Sequence, residues 1–120
     1  MFKISVLSGF SAAHHLVEYQ GDCENIHGHN WKVRVTAGYE NLPENGMAID
    51  FRILKKVTDE LLDELDHKDI NTVPFFVSNN PTSENIARFL YTRIKEKAVP
   101  VITVEIFETD YYSASYSEEK

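Results

Sequence analysis

The chain has 120 residues, 42% of them hydrophobic and 26% charged, and a formal net charge of -7 at pH 7. This length and composition are typical of one soluble globular domain, which we expect to span residues 1–120. No apolar run approaches the roughly 18 residues of a membrane helix, and the acidic balance with scattered Lys and Arg argues against a nucleic-acid surface.

Two strands are predicted first, because apolar and polar residues alternate along both. The first covers residues 2–15, with Phe10 and His14 on its apolar face. The second covers residues 29–39, where Trp31 starts a series of apolar residues at every second position. The segment between the strands is rich in Gly, Asp and Asn and is predicted to be an ordered loop.

A first amphipathic helix is predicted over residues 51–65. Asp50 stands where an N-cap is expected, and Phe51 and Leu54 begin a buried stripe with helical spacing. Residues 66–82 follow and contain two prolines. We therefore predict that this segment is mostly loop.

A second helix and two further strands complete the chain. Thr82 or Ser83 is the expected N-cap, and Glu84 in the first turn suits the helix dipole. Alternation returns over residues 99–108 and 111–117, which are predicted strands. The resulting order ββααββ indicates an α+β fold with two helices on one face of an antiparallel sheet.

Residues 23–29 read Cys-Glu-Asn-Ile-His-Gly-His, which brings a thiol, a carboxylate and two imidazoles close together in sequence. His27 and His29 are two apart, so in an extended chain both side chains leave the same face of a strand. A zinc ion that takes part in chemistry normally has three protein ligands and one open position. The pattern therefore predicts a zinc site that needs one more ligand.

His14 is the expected third ligand rather than His15, because adjacent strand residues point to opposite faces. His15 would then be exposed or lie in an interface, and the reverse assignment stays open. Cys23 is a further candidate ligand. A thiol retained beside the metal would instead act as a base or nucleophile, because nearby positive charge favours the thiolate.

Cys23 is the single cysteine and cannot form an internal disulfide, so it is a buried filler, a metal ligand or a reactive thiolate, and its neighbours favour the last two. Residues 1–6 lack the basic start, the long apolar stretch and the cleavage site of a signal peptide. We therefore expect a cytoplasmic protein.

Carboxylates in two further places are weaker signals of a site. Asp66 and His67 directly follow the first predicted helix, where such a pair is more often exposed than catalytic. Glu108 ends an apolar strand, where a carboxylate either emerges into water or points at a ligand. The residues alone leave both alternatives open.

Short motifs follow one another along most of the chain. They are residues 10–14 (Phe-Ser-Ala-Ala-His), Cys23 with 27–29 (His-Gly-His), 46–51 (Gly-Met-Ala-Ile-Asp-Phe), 65–68 (Leu-Asp-His-Lys), 81–85 (Pro-Thr-Ser-Glu-Asn) and 107–109 (Phe-Glu-Thr). Together they resemble the 6-pyruvoyltetrahydropterin synthase / 6-carboxytetrahydropterin synthase family. The resemblance implies the tunnelling fold, in which ββααββ subunits trimerise into a twelve-stranded barrel, and two such rings stack into a homohexamer.

The resemblance also implies a role for each candidate residue. The implied Zn2+ ligands are His14, His27 and His29. Cys23 would be the catalytic thiol, and Asp66 with His67 would form an acid/base pair that reaches the site from a neighbouring subunit. Glu108 would accept hydrogen bonds from the pterin edge, because a carboxylate can accept two N–H donors. The residues implied to border the same pocket are Thr82, Ser83 and Glu84.

The implied substrate is 7,8-dihydroneopterin triphosphate, and the implied product is 6-carboxy-5,6,7,8-tetrahydropterin on the way to 7-deazaguanine nucleosides such as queuosine. Glu24 after Cys23 resembles a subgroup that also cleaves the side chain to 6-hydroxymethyl-7,8-dihydropterin for folate synthesis, unless Glu24 only faces solvent. The alternatives are a 6-pyruvoyltetrahydropterin synthase and a zinc-stabilised binding protein without catalysis.

Overall fold

Residues 1–17 and 25–118 are described by a computed structural model of the chain. In chain order their elements are β1 (Phe2–His14), β2 (His27–Tyr39), α1 (Phe51–Leu62), β3 (Lys68–Asp69), a 3-10 helix (Ile70–Thr72), α2 (Pro74–Val77), α3 (Ser83–Lys95), β4 (Val101–Thr109) and β5 (Tyr112–Tyr116). The predicted order ββααββ of an α+β fold is confirmed, with three short elements added between α1 and α3.

The strands form one sheet in the order β3-β1-β2-β4-β5. β1 and β2 are antiparallel and pair without a break along all of β1, ending at the pair His14–His27. β2 therefore begins two residues before its predicted start, because its pairing with β1 continues through Gly28. β3 is short and runs parallel to β1 beside Ala12 and Ala13.

The core lies between this sheet and the helices α1 and α3, which contact β1, β4 and β5. Trp31, Val33 and Val35 point into it from β2 and are at most 1% exposed. Leu54 of α1 and Leu90 of α3 meet them from the helical side. The alternation predicted for β2 thus reports the buried face correctly.

The first helix differs from its prediction at both ends. Asp50 is the N-cap as predicted, since its carboxylate accepts a hydrogen bond from the backbone N–H of Arg52 at 2.8 Å. Phe51 was expected in the buried stripe but is 62% exposed, because it borders an open groove between α1 and the first half of β1. The helix ends at Leu62, and Leu65 is buried in the turns that follow.

The second long helix begins where it was predicted. The Thr82 hydroxyl accepts a hydrogen bond from the backbone N–H of Asn85 at 3.1 Å and so caps α3. The preceding segment 66–82, predicted to be mostly loop, contains β3, the 3-10 helix and α2. No helix in the described part of the chain combines the length and apolarity needed to cross a bilayer.

The outer edge of β1 is covered along only part of its length. Ser11 donates its backbone N–H to Asp66 Oδ1 at 2.9 Å, and the backbone N–H of His67 donates to the Ser11 carbonyl. β3 continues this cover at the next residues. Among the described residues, no strand pairs with the outer side of residues 2–9. An open edge of this kind offers its N–H and C=O groups to another strand.

Gly9→Ala is expected to lower the free energy of unfolding by about 1–3 kcal/mol. The reason is that a Cβ at Gly9 would lie 2.8 Å from the backbone oxygen of Trp31 in the paired strand. Gly28→Ala is the matched control in the same ladder, since its Cβ would meet only the Ala12 oxygen, at 4.0 Å. Urea denaturation of the metal-free proteins measures both variants. Equal losses of stability would contradict the close approach at Gly9.

Candidate metal centre

Three histidines and one glutamate converge at one end of the sheet, on the face that carries the core. His14 is the last residue of β1, and it pairs directly with His27, the first residue of β2. His29 lies on the same face of β2, two residues further on. Glu108 is near the end of the neighbouring strand β4. The order of the strands therefore brings the four side chains together.

The candidate ligand atoms of these side chains lie close enough together to bind one metal ion. His14 Nε2 is 3.1 Å from His27 Nε2 and 3.1 Å from Glu108 Oε1. His29 Nε2 is 3.6 Å from the same Glu108 oxygen. One ligand atom from each residue lies within 4.8 Å of all the others, and within the described residues this is the group that could hold a metal ion.

Backbone carbonyls bind the Nδ1 atoms of two of the imidazoles, those of His14 and His27. His14 Nδ1 lies 2.8 Å from the carbonyl oxygen of Pro81, and His27 Nδ1 lies 3.0 Å from that of Asn25. A carbonyl oxygen only accepts hydrogen bonds, so each Nδ1 carries a proton, and in the neutral form of each ring the Nε2 lone pair is directed at the other ring. Such orientation by the second nitrogen is typical of histidines that bind metals.

The Nε2 atoms of the histidines, which face into the group, fit a cation better than they fit one another. Two Nε2 lone pairs 3.1 Å apart repel unless a positive charge lies between them. His29 Nε2 is buried and has no hydrogen-bond partner among the residues that the structure describes, which is a costly state for a polar atom. A metal ion bound by His14, His27 and His29 would satisfy all three nitrogens at once.

Burial keeps the central imidazole neutral. His14 is 1% exposed, and the edge of Trp31 packs against it with ring centroids 4.9 Å apart. Burial is the main cause that lowers the pKa of His14, and the nearby His27 and His29 add to it against the opposing effects of Pro81 and Glu108. The His14 ring therefore stays unprotonated at neutral pH, which metal ligation requires.

The group is open on one side. The side chains of His29 and Glu108 are 22% and 32% exposed, whereas His14 faces the core. Three imidazole nitrogens with a carboxylate suit zinc and other first-row metals that imidazole binds. The open side leaves room for a further ligand, as in metal sites that carry out chemistry.

Glu108 lies among the histidines of the metal-binding group. The resemblance implies that its carboxylate binds the pterin edge, and the structure places its Oε1 between His14 and His29. Glu108 lies two residues after the buried Ile106, on the same inward face of β4. This spacing is the sequence signal that could have placed it in the group.

Asp66 and His67 form a pair, but within one chain they lie outside the metal-binding group. His67 Nδ1 is 3.0 Å from Asp66 Oδ2, and the His67 side chain is 82% exposed. Hydrogen bonds lower the pKa of the Asp66 carboxyl, chiefly the one from the Ser11 backbone N–H and also that from His67. The pair sits on the outer edge of β1, where it is presented to solvent.

The segment just before α3 contributes a backbone atom to the site, and the predicted role of Thr82, Ser83 and Glu84 beside the substrate pocket stays a prediction. The Thr82 hydroxyl is used in the helix cap, and Ser83 and Glu84 lie in the first helical turn. The contact with the site comes from the carbonyl of Pro81, which accepts from His14. Sequence reasoning missed this contact because every residue has a carbonyl.

His15 lies outside the metal-binding group and is half-buried in the single chain, and its predicted place on the surface or in an interface stays a prediction. Its backbone and ring lie against Asn71, which explains the burial. Cys23 and Glu24 lie outside the described residues, so their roles stay predictions.

The chain is similar to known proteins along most of its length. A family model described as 6-pyruvoyl tetrahydropterin synthase matches residues 3–119. The 6-carboxy-5,6,7,8-tetrahydropterin synthase of Haemophilus influenzae is 30% identical over 98% of this chain and 100% of its own. The protein of the same name from Synechocystis is 37% identical over 89% of this chain and 86% of its own.

Two further relatives carry the other name. Human 6-pyruvoyl tetrahydrobiopterin synthase is 34% identical over 98% of this chain and 92% of its own. The solved structure of Caenorhabditis elegans 6-pyruvoyl tetrahydropterin synthase matches with a TM-score of 0.85 at 29% identity, over 98% of this chain and 96% of that one. The fold is therefore shared along almost the whole chain.

His14→Ala, His27→Ala and His29→Ala are each expected to lose most of the bound zinc, because each removes one of three converging nitrogens. His15→Ala is the matched control, since its ring lies outside the group, and it should keep the metal. Elemental analysis of zinc-loaded, desalted proteins measures the content. Equal loss at His15 would contradict the assignment of the ligands.

Proposed function

Because the chain belongs to the 6-pyruvoyl tetrahydropterin synthase family, we propose that it is a zinc-dependent lyase that converts 7,8-dihydroneopterin triphosphate to 6-carboxy-5,6,7,8-tetrahydropterin, with release of acetaldehyde and triphosphate. Such a product would serve the synthesis of 7-deazaguanine nucleosides such as queuosine. The observation that carries the proposal is the open group of three imidazole nitrogens and one carboxylate. The names of the relatives from Haemophilus influenzae and Synechocystis support this product.

In this proposal His14, His27 and His29 hold zinc, with their rings oriented by backbone carbonyls. When bound, zinc would acidify the side-chain hydroxyls of the substrate and the adjacent C–H. Cys23 is the proposed base that takes the proton from carbon. Its place in the chain, four residues before His27, keeps it near the metal centre in sequence.

His67 is the proposed second acid/base. Its Nδ1 faces Asp66, so the carboxylate holds the ring in one tautomer and leaves Nε2 for proton transfer. Because this pair lies outside the metal-binding group of its own chain, we propose that it serves the site of a neighbouring subunit. The chain would then act as a single domain in a cytoplasmic homohexamer, a dimer of trimers whose sheets close into barrels.

Glu108 is the proposed anchor of the pterin ring. Its Oε1 faces His14 and His29, so Oε2 is the oxygen that remains to accept an N–H from the amino-pyrimidinone edge. The carboxylate would thereby set the distance between the ring and the metal. Thr82, Ser83 and Glu84 are proposed to border the same pocket from the start of α3, with Thr82 retained as the helix cap.

A 6-pyruvoyltetrahydropterin synthase is the second candidate, and the similarity to the human protein of that name favours it. The two reactions would use the same ligands and differ in whether the substrate side chain is cleaved. A zinc-stabilised binding protein without catalysis is the candidate of a different class. Rapid alkylation of Cys23 near neutral pH would count against it, because a structural thiol has no need of a stabilised thiolate.

Incubation of the zinc-loaded protein with 7,8-dihydroneopterin triphosphate, followed by identification of the pterins, tests the proposal. We expect 6-carboxy-5,6,7,8-tetrahydropterin as the main product. The pyruvoyl compound would support the second candidate, and unchanged substrate would support the binding protein.

The same assay on Cys23→Ala and Glu24→Ala tests whether the two residues serve different branches. Adjacent side chains cannot occupy the same point, so each would reach a different atom of the substrate. Cys23→Ala should abolish the carboxy product and spare some 6-hydroxymethyl-7,8-dihydropterin, while Glu24→Ala should do the reverse. An unchanged product ratio in Glu24→Ala, with zinc retained, would make Glu24 a solvent-facing residue.

Mixing two inactive variants tests the shared site. His14→Ala and His67→Ala are each expected to be inactive, but subunits exchanged between them should regain part of the activity, because some sites then combine an intact metal centre with an intact His67. Mass spectrometry of the native mixture shows whether the subunits have exchanged. Exchange without any regained activity would contradict a site shared between subunits.

A further inference from the structure

Two asparagine side chains form hydrogen bonds with the backbone just after β1, where its pairing with β2 ends. The ladder with β2 stops at His14, which is the last residue of β1 and a proposed metal ligand. At the next residue, the backbone N–H of His15 donates to Asn71 Oδ1 at 2.9 Å. Asn71 Nδ2 in turn donates to the His15 carbonyl at 3.0 Å. One amide thus satisfies both backbone groups of His15.

Asn80 repeats this arrangement two residues further on. The backbone N–H of Val17 donates to Asn80 Oδ1 at 2.8 Å, and Asn80 Nδ2 donates to the Val17 carbonyl at 3.1 Å. His15 directly follows β1 and Val17 lies in the turn after it. The two amides therefore extend the hydrogen-bonded cover that Asp66 and β3 provide at Ser11 to Ala13.

Both asparagines are themselves held in place. The backbone N–H of Asn71 donates to Asp69 Oδ1 at 3.0 Å. The Asn80 carbonyl accepts from Asn85 Nδ2 at 2.8 Å and from the Thr82 backbone N–H at 2.8 Å. These hydrogen bonds fix the backbone of both asparagines and so hold their side-chain amides in place.

The anchor at Asn80 also reaches the metal ligand directly. The next residue, Pro81, provides the carbonyl that accepts from His14 Nδ1 at 2.8 Å. One short segment thus holds the His14 ring and, through Asn80, the backbone of Val17. A shift of this segment would move the ring and its chain together.

We propose that Asn71 and Asn80 are positioning residues of the metal centre, which fix the backbone that leaves His14 and thereby the direction of its Nε2. The proposal rests on the function proposed above, because it presumes that His14 binds metal. An ordinary loop contact would stabilise the fold without affecting the ligand. The positions of the two amides, on the first and third residues after His14, favour the more specific role.

The expected effect is on metal affinity. Loss of a group that orients a ligand typically weakens metal binding about 10–100-fold. Asn71→Ala and Asn80→Ala are therefore expected to raise the dissociation constant for Zn2+ at least about tenfold. We also expect a changed absorption spectrum of the Co2+-substituted protein, since the visible bands report the coordination geometry.

Asn79→Ala is the matched control. Asn79 Nδ2 donates to the Phe75 carbonyl at 2.8 Å, so this variant loses a side-chain bond of the same kind in the same segment without touching β1. Its Zn2+ affinity and Co2+ spectrum should match those of the wild type. Competition with a chromophoric chelator gives the affinities, and thermal unfolding of the metal-free proteins reports their stability separately.

Three results would overturn the proposal. The first is wild-type affinity and spectrum in both Asn71→Ala and Asn80→Ala. The second is an equal loss of affinity in Asn79→Ala, which would indicate general loosening of the segment. The third is a wild type that binds no Zn2+, a result that also removes the proposed metal centre and is distinguished from the first two by the wild-type measurement alone.

Asn71→Asp and Asn80→Asp keep the test decisive if the alanine variants do not fold. Each keeps the oxygen that accepts from the backbone N–H and replaces the Nδ2 donor with an oxygen that faces a carbonyl. A smaller but measurable loss of Zn2+ affinity is expected. Folded aspartate variants with wild-type affinity would overturn the proposal.

Discussion

Two imidazole nitrogens that face each other at 3.1 Å in a partly buried position are the constraint on which the site depends. The register of β1 and β2 makes His14 and His27 direct partners, and backbone carbonyls fix which nitrogen of each ring faces inward. Without a cation the inner lone pairs oppose each other. A bound metal ion would remove this repulsion, so metal binding should raise the stability of the folded chain.

Periodicity in the sequence was enough to predict the main elements and the buried face of β2. It could not predict that β2 starts at His27, because the start depends on pairing with β1 rather than on alternation within β2. The exposure of Phe51 was missed for a similar reason. Helical spacing identifies an apolar stripe, but whether the first turn of α1 meets the sheet is decided by how the two elements diverge.

The convergence of His14, His27 and His29 was predictable, because two of them are two residues apart on one strand and the third lies at the end of another. The groups that orient them were not. Pro81 accepts a hydrogen bond from His14 through its carbonyl, and the amides of Asn71 and Asn80 reach the backbone just after β1 only once the chain has folded back from α1. The place of Glu108 among the imidazoles required the neighbouring position of β4 in the sheet. Contacts of this kind depend on the three-dimensional path of the chain.

The partial cover on the outer edge of β1 limits how another strand can add to this sheet. From Ser11 to Val17 the edge is already hydrogen-bonded by Asp66, β3 and the two asparagines. An incoming strand can therefore pair only with the residues before Ser11, and the cover acts as a stop against sliding. A stop of this kind excludes every register in which the added strand would extend past Ser11, and so narrows the ways in which the open edge can pair.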